Sequence, residues 1–172
     1  AAVRFVFAAA LFLGLGRALD GPLATAPRPL ANAAVAGFLL FVLSNGLVMW
    51  AQTRVPSGLA ALLVALTPVW IATIEAALGT PPTRRRAAGV AVGLLGVAVL
   101  VDPRASAVDP LGALALVGAS WCWSFGTVWS KRVAMPGSVW ASAGWQMALA
   151  AGVLAAASLA RGEVWPAALE PR

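Results

Sequence analysis

Two long apolar runs joined by one short turn constrain this chain more than any other feature. The segment 45–70 reads NGLVMWAQTRVPSGLAALLVALTPVW, in which an Arg-Val-Pro-Ser-Gly turn separates two mainly apolar stretches. Each run is about as long as the ~20 residues that a helix needs to cross a ~30 Å hydrocarbon core. The pattern therefore predicts a hairpin of two membrane-spanning helices.

The composition of the whole chain favours a bilayer as its solvent. Of 172 residues, 61% are hydrophobic and 10% are charged, against roughly 45–50% and about 25% in soluble domains. Helices are the spanning architecture that fits, because lipid offers no partner to open backbone groups and barrel strands alternate over about 10 residues. The net charge of +6 sits in short clusters between apolar runs, which membrane topology explains better than a nucleic-acid-binding face does. The apolar runs exclude a soluble nucleic-acid-binding module.

The apolar runs predict an all-α, polytopic bundle of about six transmembrane helices. Their approximate ranges are 1–19, 31–54, 57–79, 85–101, 110–131 and 138–160. Alternate loops differ in charge, and by the positive-inside rule the more basic set is cytoplasmic. That set contains Arg17, Arg28, Arg84, Arg85, Arg86, Lys131 and Arg132, whereas the opposite set contains Arg4, Arg54, Arg104 and Arg161 together with Asp102, Asp109 and Glu163.

Three segments, taken in order, resemble the EamA-type permeases of the drug/metabolite transporter superfamily. GLVMWAQTRVPSGLAALLVALTPVW is similar to the third and fourth helices of that family's first repeat. RRRAAGVAVGLLGVAVLVDP resembles the fifth helix, with its glycine stripe and terminal Asp-Pro. LGALALVGASWCWSFGTVWSKR resembles the helix that opens the second repeat. After the third span the chain departs from the family's acidic Gly-Glu-Arg-like sequence and reads Glu75-Ala-Ala-Leu-Gly-Thr-Pro-Pro.

The resemblance implies a multi-pass protein of the bacterial plasma (inner) membrane, built from two five-helix repeats of inverted topology. On that mapping, residues 1–103 hold helices two to five of the first repeat, and residues 104–172 hold helices six and seven of a truncated second repeat. RFVFAA at 4–9 then aligns with QMALAA at 146–151 as the second helix of each repeat. The chain is accordingly expected to be a fragment that lacks helix one and helices eight to ten.

Polar residues inside the opening hairpin are the first candidates for lining a solute cavity. Asn45 and Met49 lie four residues apart and share a helix face. A buried amide is costly in lipid, so this face should point inwards, either to a cavity or to an interhelical hydrogen bond. Thr67 and Pro68 interrupt the next span, where freed carbonyls meet a solute or are satisfied by neighbours. Trp70 is a candidate for an apolar or cation–π wall.

The fifth span carries a second set of candidates. Ser124 and Thr127 form a hydroxyl stripe with Ser120 that ends at Lys131, although such hydroxyls commonly bond back to their own helix. Trp123 is the preferred aromatic candidate for the cavity.

Two further features have competing explanations. Glu75 is an acid inside an apolar run and is a candidate for ion coupling, but it lies close enough to the basic loop for a salt bridge to be favoured. Gly89 and Gly93 form a small-residue stripe, which favours packing within the bundle and leaves a homodimer face as the alternative.

The residues favour transport over catalysis. The chain has no His and one Cys, Cys122, so no catalytic group, metal site or cofactor is predicted and an intramembrane enzyme is disfavoured. The leading hypothesis is a secondary transporter that moves a small metabolite or drug by alternating access, with the lipid bilayer and the solute as its partners. The alternative is a non-transporting structural or scaffold membrane protein.

Overall fold

In the part of the chain that the structure describes, six helices form a bundle. The computed structural model describes residues 2–23, 26–100, 109–160 and 162, and within these ranges there is no strand. The helices are α1 (Ala2–Asp20), α2 (Pro27–Ala51), α3 (Ser57–Ala77), α4 (Arg84–Leu100), α5 (Pro110–Arg132) and α6 (Val139–Ala160). The helices α2, α3, α5 and α6 are each long and apolar enough to cross a membrane. The predicted helical bundle is confirmed.

Some residues used in the orientation argument lie outside the described part of the chain. These are Asp102, Arg104, Arg161 and Glu163. The end of the predicted span 85–101 and the beginning of the predicted second repeat at 104 also lie there.

The main helix contacts follow an order that differs from the order along the chain. α1 packs on α6, α6 on α2, α2 on α5 and α5 on α3, while α4 packs on α3. The α1–α6 pair is antiparallel, because Gly16 near the end of α1 meets Ala141 near the start of α6. α5 therefore contacts both α2 and α3, the helices that carry most of the candidate residues.

Small residues bring the helix backbones together. A Cβ added to Gly37 of α2 would overlap the backbone carbonyl of Gln146 in α6, and one added to Gly144 would lie 2.7 Å from Leu13 of α1. Large apolar side chains face outwards instead, such as Phe7 at 72% and Val99 at 87% exposure. This distribution suits a lipid solvent, in which helices associate through close packing of small residues.

Loops that the charge pattern assigns to one side of the membrane lie at one end of the bundle. At the end that we call the basic end, Lys131 lies 3.1 Å from Glu75, and Arg132 donates to the Thr80 hydroxyl at 2.6 Å. Arg17, Arg28, Arg84, Arg85 and Arg86 occupy helix ends on the same side. At the opposite end, Arg54 lies 3.7 Å from Asp109, which joins the α2–α3 turn to the start of α5.

Candidate solute cavity

A π-helical segment interrupts α2 immediately before Asn45. Residues Phe38–Ser44 have π-helical hydrogen bonding, between α-helical segments Pro27–Gly37 and Asn45–Ala51. Such segments are rare and occur often at functional sites. The segment packs closely on α5, where a Cβ on Gly126 would lie 3.0 Å from Leu40 Cγ. Because a π-helical turn holds more residues than an α-helical turn, the side chains after this segment point in other directions than they would on an uninterrupted α-helix.

The Asn45 side chain joins the π-helical segment to α1. Its Nδ2 donates to the Leu40 carbonyl at 3.0 Å, so the amide takes a backbone acceptor inside that segment. Its Oδ1 accepts from Arg4 Nη2 at 3.2 Å. The Arg4 guanidinium also lies 4.7 Å from the ring centroid of Phe5, a cation–π distance. Asn45 therefore links α2 to the exposed Arg4 in the first turn of α1.

Aromatic rings extend this arrangement to α5. Phe5 lies 5.2 Å from Phe41 between ring centroids, and Phe41 meets Trp123 edge to face at 6.0 Å. Trp123 is 37% exposed, so part of its indole faces open space. Together Arg4, Phe5, Phe41, Asn45 and Trp123 form what we call the aromatic–amide cluster. It combines apolar walls with a few fixed polar groups, the usual composition of a small-molecule site.

The break in α3 lies one turn before Pro68. Its helical segments are Ser57–Val64 and Thr67–Ala77, so Ala65 and Leu66 lie between them. Pro68 occupies the first turn of the second segment, where its missing N–H is tolerated. The Val64 carbonyl would otherwise accept from residue 68, and it accepts instead from the Thr67 hydroxyl at 2.7 Å. The carbonyl freed by the proline is thus satisfied within α3.

Replacing Thr67 with valine is expected to lower the free energy of unfolding by about 1 kcal/mol, since a carbonyl in lipid loses its donor. Thr67→Ser keeps the hydroxyl and should behave like the wild type. In a Pro68→Ala background, which restores the backbone N–H at this position, the cost of Thr67→Val should shrink. Unfolding in mixed micelles measures these variants beside the wild type. An equal cost in both backgrounds would contradict this role for the hydroxyl.

The hydroxyl stripe on α5 faces the helix interior and α3. Ser124 is fully buried, and its Oγ lies 2.6 Å from the Ser120 carbonyl and 3.1 Å from the Thr67 carbonyl. Thr127 donates to the Trp123 carbonyl at 2.8 Å. Each hydroxyl lies within bonding distance of an acceptor on its own helix, the common arrangement for Ser and Thr in membrane helices.

The remaining sequence candidates occupy different surroundings. Met49 is 55% exposed, two helical residues from the end of α2. Trp70 has a buried indole N–H without a hydrogen-bond partner among the described residues. Glu75 pairs with Lys131 at the basic end, rather than with the Arg84–Arg86 run. Pro68 and Glu75 line a groove between α3 and α4, separate from the aromatic–amide cluster.

The Glu75–Lys131 pair is expected to contribute little to stability. The Lys131 side chain is 57% exposed and the Glu75 side chain 18%, and partly exposed pairs typically contribute ~0.2–1 kcal/mol. A double-mutant cycle with Glu75→Gln and Lys131→Gln should give a coupling energy below about 1 kcal/mol. The matched cycle of Glu75→Gln with Arg84→Gln should give none. A coupling of several kcal/mol would instead indicate a fully dehydrated pair.

Sequence reasoning missed several members of the aromatic–amide cluster. Arg4 entered only as a loop charge, and the structure places it in the first turn of α1, within hydrogen-bonding distance of Asn45. Phe5 and Phe41 had no distinguishing signal among many apolar residues. The π-helical segment had none either, because FLLFVLS contains no Gly, Pro or polar residue before its last position.

Fold and site together define a polytopic helical membrane protein with a polar, aromatic-lined cluster between its helices. The model of the EamA-like transporter family matches residues 1–102. The chain belongs to the EamA-like transporter family, which confirms the resemblance seen in its sequence. No solved structure matches it significantly.

Curated relatives agree with this assignment. The chain is 35% identical over 164 residues to proteins named as inner membrane transporter YedA in Escherichia coli K12, CFT073 and O157:H7. The matches cover 95% of this chain and 53% of each relative, so the chain spans about half of their length. The chain is a multi-pass protein of the bacterial inner membrane.

Proposed function

We propose that the protein works as part of a secondary transporter, a permease or exporter that moves a small metabolite or drug across the inner membrane by alternating access. The observation that carries this proposal is the aromatic–amide cluster. Its Asn45 is a partly buried amide inside the membrane span α2, where it bonds to the Leu40 carbonyl and to Arg4 at the start of α1. Such groups are costly there and are characteristic of solute pathways.

The position of the cluster in the bundle supports a pathway. α2 supplies Phe41 and Asn45, α1 supplies Arg4 and Phe5, and α5 supplies Trp123. In the proposed domain division, α1 and α2 belong to the first repeat (1–103) and α5 to the second (104–172). Solute sites of inverted-repeat transporters lie between the repeats near the bilayer midplane. Trp123 lies near that depth, about 20 Å along α5 from its start at Pro110. Asn45 and Arg4 lie closer to the membrane surface, about 9 Å and about 3 Å from the ends of α2 and α1.

The break in α3 supplies the element that moves in this proposal. Ala65 and Leu66 divide α3 near its middle, and the Ser124 hydroxyl can donate to either the Ser120 or the Thr67 carbonyl. One hydroxyl with two acceptors on different helices permits two hydrogen-bonding arrangements of α3 against α5. Trp70 follows the break, and a movement there would bring its buried, unpartnered indole N–H to a solute. Glu75 remains the candidate for ion coupling, with Lys131 as its partner.

The test is transport by the full-length protein in proteoliposomes, with a panel of amino acids, related metabolites and cationic drugs. Uptake of at least one solute above empty vesicles is expected, and a gradient of that solute on one side should drive exchange from the other. Absence of any movement across the panel would argue against the proposal.

A structural scaffold is the second candidate function, favoured by the tight contacts of α1 with α6. The two functions differ in their response to Asn45→Ala. A transporter should keep its fold and lose transport, because Asn45 positions Arg4. A scaffold should lose only stability, as measured by unfolding in micelles.

A further inference from the structure

A groove between α3 and α4 shares no lining residue with the aromatic–amide cluster. It has a volume of about 570 Å³. Its walls are apolar or small, with Pro68, Ile71 and Ala72 on α3 and Gly89, Val90 and Gly93 on α4. Its end at the basic end of the bundle is charged, with Glu75, Arg86 and Lys131.

The glycines in this groove differ from those that join helices elsewhere. A Cβ added to Gly37, Gly126 or Gly144 would meet another helix within 3.0 Å. A Cβ added to Gly89 or Gly93 would have no neighbour within 4 Å. These small residues therefore leave a channel between the helices instead of closing it.

The length of the groove corresponds to one leaflet of a bilayer. On α3 it extends from Glu75 to Ala65, a distance of about 15 Å at the rise of an α-helix. Half of a ~30 Å hydrocarbon core has the same length. The groove thus begins at the charged interface and ends near the midplane, as one acyl chain does.

The charged end of the groove is suited to a phosphate. Among the described residues, no carboxylate pairs with Arg86, and its guanidinium carries five N–H donors. Lys131 uses one of its three donors on Glu75. Arg86 also lies in the first turn of α4, where the helix dipole favours an anion. Arg84 and Arg85 add further positive charge beside the groove.

We propose that this groove binds one anionic phospholipid of the cytoplasmic leaflet, with an acyl chain along Ala72 and Gly93 and the phosphate against Arg86 and Lys131. Basic pockets between membrane helices on the cytoplasmic side bind such headgroups. The basic end faces that leaflet by the positive-inside rule. The site does not depend on transport.

The test uses the full-length protein, delipidated in detergent and titrated with dioleoyl phosphatidylglycerol or dioleoyl phosphatidylcholine under native mass spectrometry. Wild-type protein should bind phosphatidylglycerol more tightly. Arg86→Gln should weaken that binding about fivefold, the effect of one juxtamembrane cation, and weaken phosphatidylcholine binding less, because choline already offsets the phosphate charge of that headgroup. The control Arg85→Gln removes the same charge from a residue that does not line the groove, and should have a smaller effect.

A second pair of variants tests the acyl channel without changing any charge. Gly93→Leu should reduce the binding of both lipids, whereas Gly96→Leu, whose residue lies outside the groove lining and is equally unhindered, should not. Ala72→Leu narrows the channel from α3 and should reproduce the effect of Gly93→Leu, which keeps the test valid if one variant folds poorly.

Several outcomes would overturn the proposal. Equal effects of Arg85→Gln and Arg86→Gln would indicate a diffuse basic surface, and displacement of the lipid by inorganic phosphate would indicate a headgroup site without an acyl channel. A change in oligomeric state on Gly93→Leu would assign the groove to a second copy. If the wild type binds no lipid and Gly93→Leu is less stable in the absence of lipid, the groove would be assigned to another helix of the full-length protein.

Discussion

Replacing Gly37 with leucine is expected to prevent the accumulation of folded protein in the membrane. The backbone of α2 lies directly on α6 at this position, with the Gln146 carbonyl carbon 3.0 Å from where a Cβ would be. The atoms in the way are backbone, so no rotamer change relieves the overlap. Overpacking typically costs ~1–3 kcal/mol and more where helices must separate. Gly37 is also adjacent to the π-helical segment, so a shift here would displace Phe41 and Asn45.

The same substitution at Gly46 provides the matched control. Gly46 lies in the same helix, and a Cβ there would have no neighbour within 4 Å. Gly46→Leu should therefore accumulate and unfold much like the wild type. Membrane yield, monodispersity in detergent and the free energy of unfolding in micelles measure both variants. Similar yields for the two would mean that α2 and α6 do not pack backbone to backbone at Gly37.

The membrane spans could be predicted because their cause is local. The helices in the range 45–70 end where the sequence has its turn, and the second begins at Ser57 with Pro56 as its N-cap. Apolar length and loop charge are sufficient for this, because the bilayer imposes the same thickness on every span. Lys131 and Glu75 lie at the same end of the bundle because successive helices alternate in direction, and the sequence predicts this.

Features that depend on packing between helices were not predictable from the sequence. Pro68 marked an interruption, but the break lies at Ala65 and Leu66, because proline is tolerated in the first turn of the next segment. The π-helical segment arises where α2 fits between Gly126 of α5 and Gln146 of α6. Neither contact leaves a periodic pattern in the sequence.

In the candidate site too, residues with a local signal in the sequence could be predicted, and those defined by packing could not. Asn45 and Trp123 were both predicted, and Phe41, which lies between them in the chain of contacts, was not. The polarity of Asn45 and the size of Trp123 distinguish them within apolar runs. Phe41 resembles the lipid-facing Phe7 in sequence, and only the fold separates the two, with Phe7 72% exposed.

Replacing Trp123 with alanine is expected to lower transport of the solute identified in proteoliposomes by at least about tenfold, which corresponds to about 1.4 kcal/mol of lost solute binding. Trp123 meets Phe41 at nearly a right angle, with 6.0 Å between ring centroids, and is 37% exposed. An aromatic ring that is partly exposed can bind an apolar or cationic solute. Its removal takes away a wall of the aromatic–amide cluster.

Trp121→Ala is the control that separates solute binding from stability. Trp121 is 45% exposed and stacks on Phe125 of its own helix, with 5.4 Å between ring centroids. Trp121→Ala therefore also removes a partly exposed indole, but one that has no contact with Phe41. Both variants should unfold at similar denaturant concentrations, since each loses one aromatic pair of ~0.5–1.5 kcal/mol. Transport should fall less than about twofold in Trp121→Ala, because a side chain outside the cluster makes no solute contact. Equal losses of transport in both would assign Trp123 to helix packing, and the solute site would then lie elsewhere in the bundle.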